Sequence, residues 1–409
     1  MLNPLVFLKE RGLVEATTPD CDSYLMGKSP KVYLGVDPTA GSLHLGNLQG
    51  FIVAKWLERM GCDVTLLIGD MTASVGDPSG KSTERQVLDH DRILENSRTV
   101  QNWIRSFMGP SVRFVNNLEW FGHMRLTNYL GEIGRFFRMG PMLSKEWIRR
   151  RIQSDVGMSY TEFSYQLLQA YDFLHLFRTH GIRLQMGGSD QWGNMTAGCD
   201  LIRRREGEAS HAFVWPLLTK EDGSKFGKTE SGAIWLDASQ LSPASFYQQI
   251  IGFSDLMVSR CFRRLTFLSL EEIESLEQTL SKRERQHRLA EELTVLLHGQ
   301  KGLQEALAVK KVQKPLSEIS LKDLEVANAI VIDRVALCHR KLIDLCTEWK
   351  WVKSKSECRR LIQQGAVLVN GKKIEDEGWI FQETDLHEGR FFFIVLGKKK
   401  RFILDVSKN

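Results

Sequence analysis

The chain has 409 residues, 42% hydrophobic and 26% charged, which is the balance of a soluble globular protein of two or three domains. No apolar run approaches the ~18 residues that cross a bilayer. The first twenty residues mix acids with bases and lack a signal-peptide core, so a cytoplasmic location with no membrane partner is expected. Seven scattered cysteines without a Cys-x-x-Cys pair exclude a disulfide framework or a zinc site, so no metal-ligating set is expected. The net charge of +5 falls entirely after residue 339, where 15 Lys/Arg face 10 Asp/Glu, against 40 and 40 before it. A basic C-terminal module on a neutral body points to a polyanionic partner.

Residues 31–36 (KVYLGV) read as a short buried strand, and Asp37-Pro38-Thr39-Ala40-Gly41 as a turn. From His44 the period changes: Leu45, Leu48, Ile52, Trp56 and Leu57 mark an amphipathic helix. A strand, a tight turn and a helix start leave free N–H groups and a positive dipole end for an anion. His44 and Asn47 stand at that end with side chains able to donate. Residues 63–68 form a second strand, followed by Gly69-Asp70 and a polar loop, 75–81, that lacks the P-loop spacing. A helix is expected over 91–107 and a third strand over 112–115, opening onto Asn116-Asn117. Strands alternating with helices predict a Rossmann-like parallel sheet with ligands beyond the strands' C-terminal ends.

Ser144 is expected to cap a helix carrying Arg149, Arg150 and Arg151. Over 161–178 the next helix places Tyr165, Gln169 and Asp172 on one face, an unusual polar line on an otherwise apolar helix. That line is either a buried hydrogen-bond network or a ligand-facing row. A fourth strand, 183–186, runs into Gly187-Gly188-Ser189-Asp190-Gln191, where the glycines permit close approach and Asp190 suits a ribose or a cap. A fifth strand is expected at 214–218. Lys225 and Lys228 then flank Phe226-Gly227 in a cationic loop, which is either a phosphate clamp or an exposed basic turn. Residues 242–309 read as helical throughout. From residue 340 a serine-capped basic helix, 353–362, precedes a strand and an Asn370-Gly371 hairpin turn.

HLGN (44–47) and KFGKT (225–229), some 180 residues apart, resemble the two signatures of class I aminoacyl-tRNA synthetases. YQLLQAYDF and GGSDQWGN between them narrow the resemblance to the bacterial and organellar tyrosyl-tRNA synthetases. It covers the whole chain and implies three parts: an α/β Rossmann-like catalytic domain over 1–240, an α-helical anticodon-binding domain over 241–318, and, after a linker at 319–339, a small α+β S4-like RNA-binding domain over 340–409.

The resemblance implies a tyrosine--tRNA ligase. Tyr33 and Asp172 would meet the substrate's phenol hydroxyl, and Tyr165, Gln169 and Asp77 its ammonium group. Gly35, Asp37, Gly188, Asp190 and Gln191 would surround the adenylate and ribose, with His44 and Lys228 also touching ATP. Thr39, His44, Asn47, Lys225, Lys228 and Thr229 would grip the phosphates during reaction. ATP is the substrate, with Mg²⁺ as its partner and no dedicated protein cage. Tyrosine, tRNA(Tyr) and a second copy in a homodimer are the implied partners, and Arg149–151 and Arg203–205 are candidate acceptor-stem contacts. One departure stands in the first signature, where Asn47 replaces the family's usual histidine. The rival readings are a tryptophan-specific relative, a small-molecule nucleotidyltransferase and a catalytically silent RNA-binding protein.

Overall fold

The computed structural model describes residues 3–79, 88–155, 157–219, 228–229, 232–312, 329–397 and 400–406. They divide into two compact units, Met1–Leu241 with Ile250–Leu289, and Ser242–Gln249 with Ala290–Asn409. The helical segment after residue 241 is thus shared between the units.

The first unit is built on a six-stranded sheet of β1 (Ala16–Thr17), β2 (Lys31–Val36), β3 (Asp63–Ile68), β4 (Arg113–Asn116), β5 (Leu184–Gly188) and β6 (His211–Trp215). Its order is β1-β6-β5-β2-β3-β4, parallel except for β1. From β2 the chain winds outward through β3 and β4, then crosses back to β5 on β2's other side. The order reverses between β2 and β5, which opens a ligand crevice at the strands' C-terminal ends. The central strands are apolar on both faces because helices cover both. Tyr160–His180 packs across the sheet through Phe173, Leu174 and Leu176, joined by Tyr33, Leu67 and Ile202. Phe173 is fully buried, 5.3 Å from the Tyr33 ring, and burying such a ring stabilises by ~1.5–3 kcal/mol.

Three local expectations are corrected here. The fifth parallel strand covers His211–Trp215, earlier than 214–218, because Pro216 has no N–H with which to continue the ladder. Ser144 ends the short helix Met139–Leu143 and caps nothing after it; Lys145 precedes the helix Glu146–Ile152. The arginine runs are partly structural. Arg151 is buried in an ion pair with Glu162 at 3.1 Å, and Arg204 and Arg205 donate to the carbonyls of Phe136 and Glu132.

The second unit holds a five-stranded sheet of β9 (Ile330–Val331), β10 (Val367–Val369), β11 (Lys372–Lys373), β12 (Phe391–Leu396) and β13 (Lys400–Asp405), in the order β11-β10-β12-β13-β9. Asn370 and Gly371 both take positive φ, 48° and 78°, in the two-residue hairpin that their sequence demands. Ser354 caps Lys355–Gln363 through the Glu357 N–H, 3.2 Å away. Residues 330–337 are no linker: β9 pairs parallel with β13, and Leu337 is fully buried in this unit's core. The sequence reading failed there because a two-residue edge strand carries no periodic signal. Lys282–Val312 is two helices joined at Gly299, whose φ of 67° only glycine adopts readily.

Candidate active site

The crevice at the sheet's switch point gathers most of the residues singled out in the sequence. Tyr33, on β2, is wholly buried, and its hydroxyl has no hydrogen-bond partner among the described residues. Burial first, then the nearby Asp172 carboxylate, pushes its pKa well above the ordinary value. Asp172 is buried as well, and desolvation drives its own pKa well up. Two donors oppose that rise: Asn117 Nδ2 at 3.2 Å and Trp120 Nε1 at 2.9 Å. A buried phenol with nothing to bond and a carboxylate held by fixed donors form a polar socket in an apolar surround. Such a socket penalises any occupant that cannot supply both a donor and an acceptor.

Two turns earlier on the same helix, the Tyr165 hydroxyl donates to Asp37 Oδ2 at 2.7 Å. Asp37 Oδ1 accepts from Thr72 Oγ1, also at 2.7 Å, and Thr72 in turn accepts from Asn117 Nδ2 at 3.0 Å. The two ends of the socket therefore belong to one network. Gly69 makes the approach possible: a Cβ there would lie 2.0 Å from Asp37 Oδ1 and 2.3 Å from Thr72 Oγ1. Asp77 is held by Gln191 Nε2 at 2.6 Å and by the Ser79 N–H at 2.9 Å. Asp37, Asp77 and Asp172 all raise the pKa of Tyr165 after its burial does. Three carboxylates thus act on one buried phenol at this end of the crevice. Gln169 points a buried Oε1 that lacks a partner among the described residues.

The other end is built from main chain. His44 is the N-cap of Leu45–Arg59, and its N–H donates to Asn47 Oδ1 at 3.0 Å. Asn47 thus spends its oxygen on capping its own helix and keeps its amide nitrogen as a donor. Leu45 N–H donates to the Ile234 carbonyl and Leu236 N–H to the Leu43 carbonyl, both at 2.8 Å. These bonds fasten the segment after the lysine loop onto the first signature. Directly before that segment, β7 (Lys228–Thr229) pairs with β8 (Gly232–Ala233). Lys225 lies outside the described residues, and Lys228 and Thr229 are described by main chain alone.

Gly35 sits on the exposed rim of β2, with only Leu67 within 4 Å of a would-be Cβ. A Cβ at Gly188 would be 2.8 Å from Asp190 Oδ1 and from Leu217. Thr39 lies in the turn after β2, where its N–H donates to the Asp37 carbonyl at 2.8 Å.

Several members of the network were not legible beforehand. Asn117 reaches Asp172, while its neighbour Asn116 turns to Asp70 at 2.6 Å; the position beyond a strand end marked both and distinguished neither. Trp120 and Thr72 carried no signal. Gln185 aligns with Tyr33 across β5 and β2, and its buried Oε1 lacks a partner among the described residues. Among the described residues no cluster of three or more His, Cys, Asp or Glu could hold a metal ion, and no helix is long and apolar enough to cross a membrane.

Residues 26–312 match the family described as tRNA synthetases class I (W and Y), and the chain belongs to that family. Residues 327–404 match the C-terminal domain of tyrosine--tRNA ligases, which places the chain with the tyrosyl branch. It is 41% identical to the tyrosine--tRNA ligase of Protochlamydia amoebophila, over 99% of both chains. It is 43% identical to the chloroplastic/mitochondrial tyrosine--tRNA ligase of Arabidopsis thaliana, over 99% of this chain and 84% of that one. Among solved structures it resembles a C-terminally truncated mitochondrial tyrosyl-tRNA synthetase of Aspergillus nidulans. The TM-score is 0.65 at 30% identity, over 74% of this chain and 91% of that one.

Proposed function

We propose that the chain activates L-tyrosine with ATP and transfers it to tRNA(Tyr). The observation that carries this is the socket of Tyr33 and Asp172, a buried hydroxyl without a partner among the described residues near a carboxylate already held by Asn117 and Trp120. The substrate phenol accepts from Tyr33 and donates to Asp172. Phenylalanine would leave the buried Tyr33 hydroxyl unpaired, at a cost of ~1–3 kcal/mol, and deny Asp172 a third donor. Tyr165, Gln169, Asp77 and Asp37 receive the ammonium group. The carboxylate is thereby turned toward the rim, where Gly35, Gly188, Asp190 and Gln191 border the nucleotide.

The tyrosine carboxylate oxygen attacks the α-phosphorus of ATP, forming the acyl–phosphate bond and breaking the bond to pyrophosphate. The protein supplies position and positive charge. Thr39, His44 and Asn47 donate to the phosphates from the first signature. Lys225, Lys228 and Thr229 meet the leaving pyrophosphate, in the sequence just before residues 234–236, which main-chain bonds hold against residues 43–45. Mg²⁺ would be held by the ATP phosphates, where it would offset their negative charge. The terminal ribose hydroxyl of tRNA then attacks the acyl carbon and releases AMP. The basic unit after residue 329 binds the tRNA backbone by charge.

We further propose a homodimer. Leu126, Leu130, Met139, Leu143, Ile152 and Tyr160 are each exposed within residues 126–160, as apolar side chains at a subunit contact would be. The cysteines, all free, fit the reducing cytoplasm. The deciding experiment is ATP–pyrophosphate exchange without tRNA, using tyrosine, phenylalanine or tryptophan. Exchange with tyrosine alone supports the reading; exchange with tryptophan sinks the pocket assignment.

A further inference from the structure

One side chain beside Asp172 has no part in the reaction so far. His175 lies on Tyr160–His180, one turn past Asp172, and its ring stacks on Trp120 with centroids 4.3 Å apart and planes at 20°. Trp120 is the 2.9 Å donor to Asp172. That tryptophan sits in a four-residue helix, Leu118–Phe121, whose first N–H, on Leu118, is held by Asn116 Oδ1 at 2.9 Å. So short an element fixes an indole poorly through its own main chain. Its orientation comes from what packs on it: the apolar clusters around Phe173 and Leu168 and, stacked on its face, the imidazole. His175 is braced in turn by Tyr171, 6.2 Å away. Burial first, then His180 and Arg178, holds the pKa of His175 below the ordinary value. At neutral pH it is a flat neutral ring and not a competing charge.

We propose that His175 is a positioning residue for tyrosine selection: its ring holds the Trp120 indole in the plane that points N–H at Asp172. This rests on the reading of Tyr33 and Asp172 as partners of the substrate hydroxyl. Without the stacked ring the indole swings, Asp172 loses one of its two fixed donors, and the socket no longer presents a carboxylate in register with Tyr33. The effect falls on tyrosine binding, since Trp120 touches no part of the phosphate end.

The test is amino-acid-dependent ATP–pyrophosphate exchange on the full chain, with tyrosine and with phenylalanine. His175→Ala and His175→Gln, the latter keeping a polar side chain without a ring, should each raise KM for tyrosine roughly three- to tenfold. Both should narrow the tyrosine-to-phenylalanine ratio, while kcat and KM for ATP stay within about twofold. His175→Phe restores the stacked ring and should return the tyrosine KM to within about twofold of the parent. Unchanged KM in the ringless variants overturns the proposal, and so does a phenylalanine variant as impaired as they are. Asp172→Asn in the same assay separates the two readings. If it narrows discrimination while the ringless variants do not, His175 alone is wrong. If it too leaves discrimination unchanged, the pocket assignment falls and this proposal with it.

Discussion

The two ends of the crevice solve different problems with different parts of the chain. At the end proposed for the amino acid, side chains are wired to one another: Asn117 to Asp172 and Thr72, Thr72 to Asp37, Asp37 to Tyr165. At the phosphate end, position comes from main chain, through a helix start and two strand-like bonds between 43–45 and 234–236. A neutral ring and hydroxyl must be told from near-identical competitors, which calls for rigid, satisfied, buried groups. Triphosphate is the same in every cycle and moves as it reacts. It calls for donors and positive charge gathered at a firmly held helix start.

Removing charge from the anchored end should have the largest effect. Lys228→Ala is expected to slow adenylate formation ~10²–10³-fold with KM for tyrosine within about threefold, the mark of a contact made in the transition state. Single-turnover formation of tyrosyl-adenylate measures it. A pure loss of tyrosine affinity would erase the division between the two ends.

The amino-acid end breaks differently. Asp172→Asn should cut discrimination between tyrosine and phenylalanine ~10–100-fold, because the Tyr33 hydroxyl and the Asn117 and Trp120 donors then face a group of the wrong character. Charge makes a second readout possible. The pKa of Asp172 is raised by burial, so the folded chain binds this proton more tightly than the unfolded chain. Its contribution to stability is therefore full below the unfolded value and is lost as pH rises toward the folded one. Between pH 4.5 and pH 8, thermal melts should show Asp172→Asn gaining on the parent. A difference between the two proteins that does not change with pH would mean that the carboxyl is not desolvated as placed.

Gly69→Ala tests the wiring without touching a polar group. The added methyl would stand 2.0 Å from Asp37 Oδ1, so Asp37 must leave Tyr165 and Thr72, at ~1–3 kcal/mol of stability. Tyrosine KM should rise with it. A lower melting temperature with unchanged KM would separate Asp37 from the ammonium site.

The same contrast explains what the sequence could disclose. Both signatures, the polar line Tyr165–Gln169–Asp172 and the parallel sheet were readable, because local period and composition encode elements and the groups they carry. Trp120, Thr72 and Gly69 were not, since each matters only for what lies opposite it from a distant element. The 330–331 strand and the structural use of Arg204 and Arg205 were missed for that reason as well: a two-residue strand is defined by its partner, and an arginine run looks the same whether it meets solvent or a carbonyl.

The smallest effect is expected at the one departure from the family pattern. Asn47 accepts the His44 N–H through Oδ1 at 3.0 Å, a capping bond of the kind that stabilises a helix start by ~0.5–2 kcal/mol. Histidine at this position can accept the same N–H through Nδ1 and still present Nε2–H outward. Asparagine and histidine are therefore equivalent for the cap and near-equivalent for a phosphate. Asn47→His should change kcat less than about threefold, since neither the cap nor the outward donor is lost. Asn47→Ala removes both and should cost ~1 kcal/mol of stability together with a roughly tenfold drop in kcat. If Asn47→His instead accelerates adenylate formation by more than tenfold, an imidazole at this position does chemistry that an amide cannot. The phosphate end would then rest on side-chain identity as heavily as the tyrosine end does.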